Sequence, residues 1–131
     1  MFQISIKPRF CDTDAMEHIN NTVPPVWFLE AREDVMRILN PELDAQKVTA
    51  VLVKVEIEYL KETFYGSPVE IRTWIERVGN SSIDICHEGW QNDQLKLQGK
   101  ARLVHFDRET RTSKVISDDI RAQLSEHLKA D

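Results

Sequence analysis

Phe2, Ile4 and Ile6 alternate with Gln3, Ser5 and Lys7 at the start of the chain. A period of two is that of a strand with one buried face, and Pro8 closes it. Residues 11–23 lose all periodicity and are rich in Asp, Asn and Thr, which reads as a loop. Pro24-Pro25 then suits the first turn of a helix, where a backbone N–H has no intrahelical partner anyway. From Val26 to Leu39 the apolar residues fall at helical spacing: Phe28, Ala31, Val35 and Leu39 form one stripe, with Leu29 and Met36 beside it. The spacing predicts one long helix, ended by Asn40-Pro41 because the residue before a proline resists the α region.

Strand periodicity returns at residue 51. Val51, Val53, Val55, Ile57 and Tyr59 are expected on one face, with Lys54, Glu56 and Glu58 on the other. Tyr65-Gly66-Ser67-Pro68 reads as a turn into a strand bearing Val69, Ile71, Thr73 and Ile75. Gly79-Asn80 and Asn92-Asp93 mark further turns, with Ile83 and Ile85 between them and Leu95, Leu97, Ala101 and Leu103 after them. Short turns between successive strands predict an antiparallel meander. Ser117 is placed to cap a last helix carrying Ile120, Leu124 and Leu128. The architecture expected is α+β: one domain over residues 1–131, with an antiparallel sheet wrapped around one long helix so that both apolar faces are buried together.

Composition narrows the function. With 17 Lys and Arg against 22 Asp and Glu, the net charge is −5. An acidic chain with no basic run is a poor nucleic-acid binder, because phosphate contacts carry most of that affinity. No apolar run is long enough to span a bilayer, and Met1-Phe2-Gln3-Ile4-Ser5 has no signal pattern, so neither a membrane nor export is expected. Cys11 and Cys86, far apart in sequence, read as reduced packing thiols of a cytoplasmic protein. No His, Cys, Asp or Glu cluster has metal-ligand spacing, and the four glycines form no phosphate-cradling loop, so neither metal nor organic cofactor is expected.

The informative segment runs Asp12-Thr13-Asp14-Ala15-Met16-Glu17-His18-Ile19-Asn20-Asn21, followed on the helix by Glu30-Ala31-Arg32. It resembles the D-x-D-x-x-G-H-V-N-N…E-x-A-R pattern of hot-dog thioesterases of the 4-hydroxybenzoyl-CoA thioesterase type, and is similar there to plant acyl-carrier-protein thioesterases. Tyr59, Gly66 and Arg77-Val78-Gly79 extend the likeness along the chain. Glu17 stands where the family has glycine, Pro24 where it has a tyrosine, and Met16 where the plant enzymes have an asparagine.

The resemblance implies a hot-dog fold and hydrolysis of an acyl-CoA or acyl-carrier-protein thioester. It makes Asp14 the nucleophile or general base and the Asn21 backbone N–H the donor to the thioester carbonyl. A donor near a helix N-terminus makes independent sense, since N–H groups there are unpaired and favour negative charge. Pro24 and Pro25 have no N–H, so the donor must lie just before them. His18 joins the catalytic set by analogy with the plant enzymes; in bacterial ones it organises the loop. The resemblance also implies a homodimer or homotetramer, with sheets joined edge to edge and the active site between protomers. Trp27 and Tyr59 are then candidates along the acyl path, and Arg77, Ser81 and Ser82 near the nucleotide or pantetheine.

Plainer readings stand beside these. Aspartates bond their own backbone in turns, so Asp12 and Asp14 taken alone read as loop residues, with Asp12 a partner for Arg9. A helix Trp such as Trp27 is more often core. His87 and Glu88 adjoin, but neighbours on a strand face opposite ways, so they are no acid–base pair. His105 and His127 read as surface or edge residues. The alternative functions are a non-catalytic acyl-thioester binder, which would not need Asp14, and a hydratase, which would want a histidine with a carboxylate on the long helix, where Glu30 is present but no histidine is.

Overall fold

The alternating segments pair into one antiparallel sheet. Its main strands are β1 (Phe2–Ile6), β2 (Thr49–Tyr59), β3 (Val69–Val78), β4 (Ser82–Gln91) and β5 (Gln94–Asp107). They lie in the order β1-β3-β4-β5-β2, and a short β6 (Thr112–Ser113) pairs antiparallel with the end of β5. The computed structural model describes residues 1–44 and 49–130. Asn92 (φ 52°) and Asp93 (φ 60°) are both left-handed and join β4 to β5 in a two-residue turn whose twist matches the strands.

Two expectations about β2 are corrected. It is not the hairpin neighbour of β3. Residues 60–68 carry the chain across the sheet, β2 pairs with β5, and the place beside β3 is taken by β1. The register of β2 also shifts between Leu52 and Lys54. Leu52, Val55, Ile57 and Tyr59 oppose the core-facing residues Leu103, Ala101, Gly99 and Leu97 of β5, whereas Val51 opposes Val104 on the outer face. One extra residue in a bulge reverses every side chain beyond it, so Val51 does not share a face with Val55.

The expected long helix is two helices, α1 (Pro24–Ala31) and α2 (Glu33–Leu39). At Arg32 (φ −76°, ψ −8°) the N–H is shared between the Phe28 and Leu29 carbonyls, both at 3.1 Å, as at a helix end. The predicted stripe is nevertheless the buried one: Phe28, Ala31, Val35 and Leu39 all pack under the sheet. α3 (Asp118–Ser125) starts at Ser117, whose Oγ accepts the Ile120 N–H at 3.2 Å. Leu124 is buried, and residues 127–129 run beside Ile75 and cover the part of β3 that β1 does not reach.

The core has two apolar clusters. Ile19, Trp27, Phe28, Ala31, Val69, Ile71 and Leu97 form one; Val35, Leu39, Ile75, Ile83, Ile85, Leu103, Ile116 and Leu124 form the other. Between them, on the same strands and at the helix break, lie the buried polar residues Arg32, Thr73 and His87.

Candidate active site

Ile19 is buried in the first cluster and ties the 11–23 loop to the core, and its N–H donates to the Thr63 carbonyl at 2.9 Å. Around it the loop folds as a small hairpin in which Thr13 pairs with Ile19. The Asp14 N–H donates to the His18 carbonyl at 2.9 Å and the Glu17 N–H to the Asp14 carbonyl at 3.1 Å. Glu17 is left-handed at φ 64°. This is the three-residue hairpin loop that ends in a left-handed residue, a position that favours glycine. Asp12 braces the hairpin from below. Its carboxylate accepts the Arg9 N–H at 2.8 Å and the Arg9 guanidinium at 2.9 Å. Burial pushes the Asp12 carboxyl up, but these bonds and the Arg9 charge outweigh it and hold the group below its ordinary value.

Asp14 is exposed, and its Oδ1 accepts the Met16 N–H at 2.9 Å. The donors beyond it are committed one by one. The Asn20 N–H goes to the Asp12 carbonyl (2.8 Å), the Thr22 N–H to the Asn20 Oδ1 (2.9 Å), the Val23 N–H to the Asn20 carbonyl (3.0 Å) and the Val26 N–H to the Val23 carbonyl (2.8 Å). Pro24 and Pro25 have none to give. From Ile19 to Val26, the Asn21 N–H is the one amide with no acceptor among the described residues. The Asn21 carbonyl, in contrast, accepts the Tyr59 hydroxyl at 2.5 Å. Burial raises the Tyr59 phenol.

The other expected site residues divide into two places. His18 Nδ1 lies 3.4 Å from Glu62 Oε2, and its ring meets Phe64 edge-on at 5.1 Å. Trp27 is 5% exposed and packs with Ile19 in the core. Asp14, His18, Asn21, Trp27 and Tyr59 thus gather at one end of the molecule. Arg77, Ser81 and Ser82 do not join them within one chain. They lie at the far end of β3, about 30 Å along the strand from Val69, beside which Ile19 packs. There Arg77 donates to Asp84 (3.1 Å) and Ser82 Oγ (3.3 Å), and the Ser81 carbonyl accepts the His105 N–H at 2.7 Å. Arg77 borders an outer groove of about 520 Å³ with Lys54, Glu56, Glu76, Asp84, Lys100 and Arg102.

His105 is buried, not at the surface, because β6 and the 114–116 segment cover β5 there; Cys11 is exposed, not packed. Nothing in the sequence pattern marks Gln91. It is fully buried, and its amide takes the Phe64 N–H and donates to the Phe64 and Ser67 carbonyls, fixing the segment against which His18 rests. His87 stacks on Phe28 at 4.8 Å, with Nδ1 2.9 Å from Thr73 Oγ1 and Nε2 3.4 Å from Arg32. Burial, with the facing Arg32 charge, lowers its pKa to about 3.

A curved antiparallel sheet packed around α1 and α2, with the candidate site on the loop that enters α1, is the α+β hot-dog fold. The solved structures agree. A predicted thioesterase from Bacillus stearothermophilus is 36% identical, with a TM-score of 0.94 over 99% of this chain and 98% of that one. A thioesterase from Thermus thermophilus, solved with coenzyme A and zinc, shares the fold at 22% identity, with a TM-score of 0.83 over 95% of this chain and 91% of that one. Among curated proteins, YsmA of Bacillus subtilis is 26% identical over 84 residues, 64% of this chain and 57% of that protein's length. The match therefore spans little more than half of that relative. The family model of the thioesterase-like superfamily matches residues 8–124, and the chain belongs to that superfamily.

Proposed function

We propose that the protein hydrolyses an acyl thioester of coenzyme A or of an acyl carrier protein. The observation that carries this reading is the uncommitted Asn21 N–H, seven positions past an exposed carboxylate and the one amide from Ile19 to Val26 with no acceptor among the described residues. A thioester carbonyl placed on that N–H gains a fixed donor for the oxyanion that forms when its carbon is attacked. Asp14 either attacks that carbon, forming an acyl anhydride that water then cleaves to the free acid, or takes a proton from the water that attacks; in both routes the C–S bond breaks and the sulfur leaves as thiolate, taking up a proton to become the free thiol. His18 stands across the hairpin from Asp14. A ring already engaged by Glu62 and Phe64 fits a loop-organising role.

A second copy is part of this reading. In one chain Asp14 is open to water, and apolar side chains stand exposed on its loop and on α1: Met16 at 72%, Leu29 at 61% and Val26 at 56%. β2 closes one side of the sheet as an 11-residue edge with Val55 and Tyr59 about half exposed. Edges of this length and apolarity are usually covered. A homodimer joined along β2 would cover both and enclose the carboxylate, and residues of the partner, such as those at the Arg77–Ser82 hairpin, would then face substrate. The plainer reading, a non-catalytic acyl-thioester binder, draws on the Asx turn at Asp14, which gives that side chain a purely local task.

The test is free-thiol release from acetyl-, hexanoyl-, palmitoyl- and benzoyl-CoA, by wild type, Asn21→Ala and Asn21→Pro, with a thermal melt of each. Asn21→Ala keeps the N–H and should lose no more than about threefold, since the Asn21 side chain makes no hydrogen bond among the described residues. Asn21→Pro removes the donor and should lose roughly a hundredfold or more in kcat. Equal turnover by both variants, with unchanged melts, would remove Asn21 from the mechanism.

A further inference from the structure

The proposed oxyanion donor belongs to a residue whose main chain is bonded from a different element. Asn21 is bracketed by two peptide groups. The one before it carries the free N–H, and its carbonyl is taken by the Val23 N–H at 3.0 Å. The one after it is gripped at both ends. Its N–H, that of Thr22, goes to Asn20 Oδ1 at 2.9 Å, and its carbonyl, that of Asn21, accepts the Tyr59 hydroxyl at 2.5 Å. The Thr22 hydroxyl also donates to Asn20 Oδ1 at 2.7 Å. All of these contacts are local to residues 20–23 save Tyr59, which reaches in from the end of β2, where it opposes Leu97.

We infer that Tyr59 is a positioning residue. Its hydroxyl, by fixing the Asn21 carbonyl, keeps the Asn21 N–H aimed at the reacting carbonyl, and so ties the geometry of the site to the edge strand β2. This rests on the reading of Asn21 as the oxyanion donor. It differs from a place along the acyl path, where the phenol ring would touch substrate and its hydroxyl would have no task. A strand is a stiff mount for such a contact, because β2 is paired with β5 along its length and cannot shift without breaking that ladder. A loop peptide held only by its neighbours can rotate about its two adjacent backbone torsions and turn the N–H away. One long-range bond removes that freedom.

The experiment is steady-state kinetics of Tyr59→Phe with whichever CoA thioester of the panel above the wild type turns over fastest. The ring and its packing are kept, and only the hydroxyl is lost. The expected result is a fall in kcat of about tenfold, with KM within about twofold, and no further loss when Tyr59→Phe is added to Asn21→Pro, because both act through one donor. Amide hydrogen exchange of the peptide spanning residues 20–23 should quicken in Tyr59→Phe while the melt stays within a few degrees, a readout that overall loosening would not confine to that segment. A kcat unchanged by Tyr59→Phe while Asn21→Pro is inactive overturns the inference and leaves the donor reading standing. A KM change that tracks acyl length with kcat intact overturns it in favour of the acyl path. An Asn21→Pro variant as active as wild type removes the donor reading itself.

Discussion

Glu17 is the residue whose local cost is plainest. A left-handed φ of 64° costs a residue with a Cβ about 1–2 kcal/mol. Glycine escapes that cost but has more entropy to lose on folding, about 0.4–1 kcal/mol. Glu17→Gly should therefore stabilise the fold by roughly 0.5–1 kcal/mol, read as a higher midpoint in denaturant with an unchanged slope. A lower midpoint would mean that the Glu17 side chain carries an interaction worth more than the strain. The sequence pattern exposed this position only through likeness to a family with glycine there, since nothing in the run Asp14-Ala15-Met16-Glu17 by itself marks a left-handed residue. The same holds for Asn21. Pro24 and Pro25 say where a donor cannot be, and only the resemblance points to Asn21 as the one proposed.

Among the elements, the most consequential feature was also the least legible. Arg32, a good helix former, gives no sign that the helix breaks there, and its contact with His87 joins positions 55 apart in sequence. That polar layer predicts how stability responds to acid. The folded protein holds His87 near a pKa of about 3, below the ordinary value of about 6.5. A depressed pKa means that the unfolded chain binds the proton more readily. The His87 contribution is thus whole above about pH 6.5 and drains as the pH falls toward 3. Its share of the slope is roughly 1.4 kcal/mol per pH unit. Between pH 6 and 4.5, chemical denaturation of His87→Gln should show a pH slope lower by that amount than wild type; parallel slopes would contradict the buried neutral histidine. Strand β2 shows a different limit of sequence reading. Val51, Leu52 and Val53 are all apolar, so no alternation marks the bulge among them. The turn at residues 65–68 was visible, but a turn signal does not say which strand the chain pairs with next.

For the whole molecule, the hot-dog architecture followed from one helix set among strands and from the loop motif, and the thioesterase-like superfamily agrees with both. Its assembly is a prediction from β2 and from the exposed apolar side chains of the Asp14 loop and α1. Light scattering at micromolar concentration should give twice the 15.3 kDa chain mass, or four times it. A mass of one chain would leave the β2 edge bare and Asp14 in water.

The central claim is that the Asp14 carboxylate does chemistry and not only local bonding. Asn in its place keeps an oxygen for the Met16 N–H, so the turn should survive, and it can neither attack a carbonyl carbon nor take a proton from water. The measurement is kcat for thioester hydrolysis by wild type and Asp14→Asn, each with its melting curve. The expected result is a loss of roughly a hundredfold or more with the melt unchanged. Turnover near that of wild type with the same melt would contradict the account and leave Asp14 a turn residue.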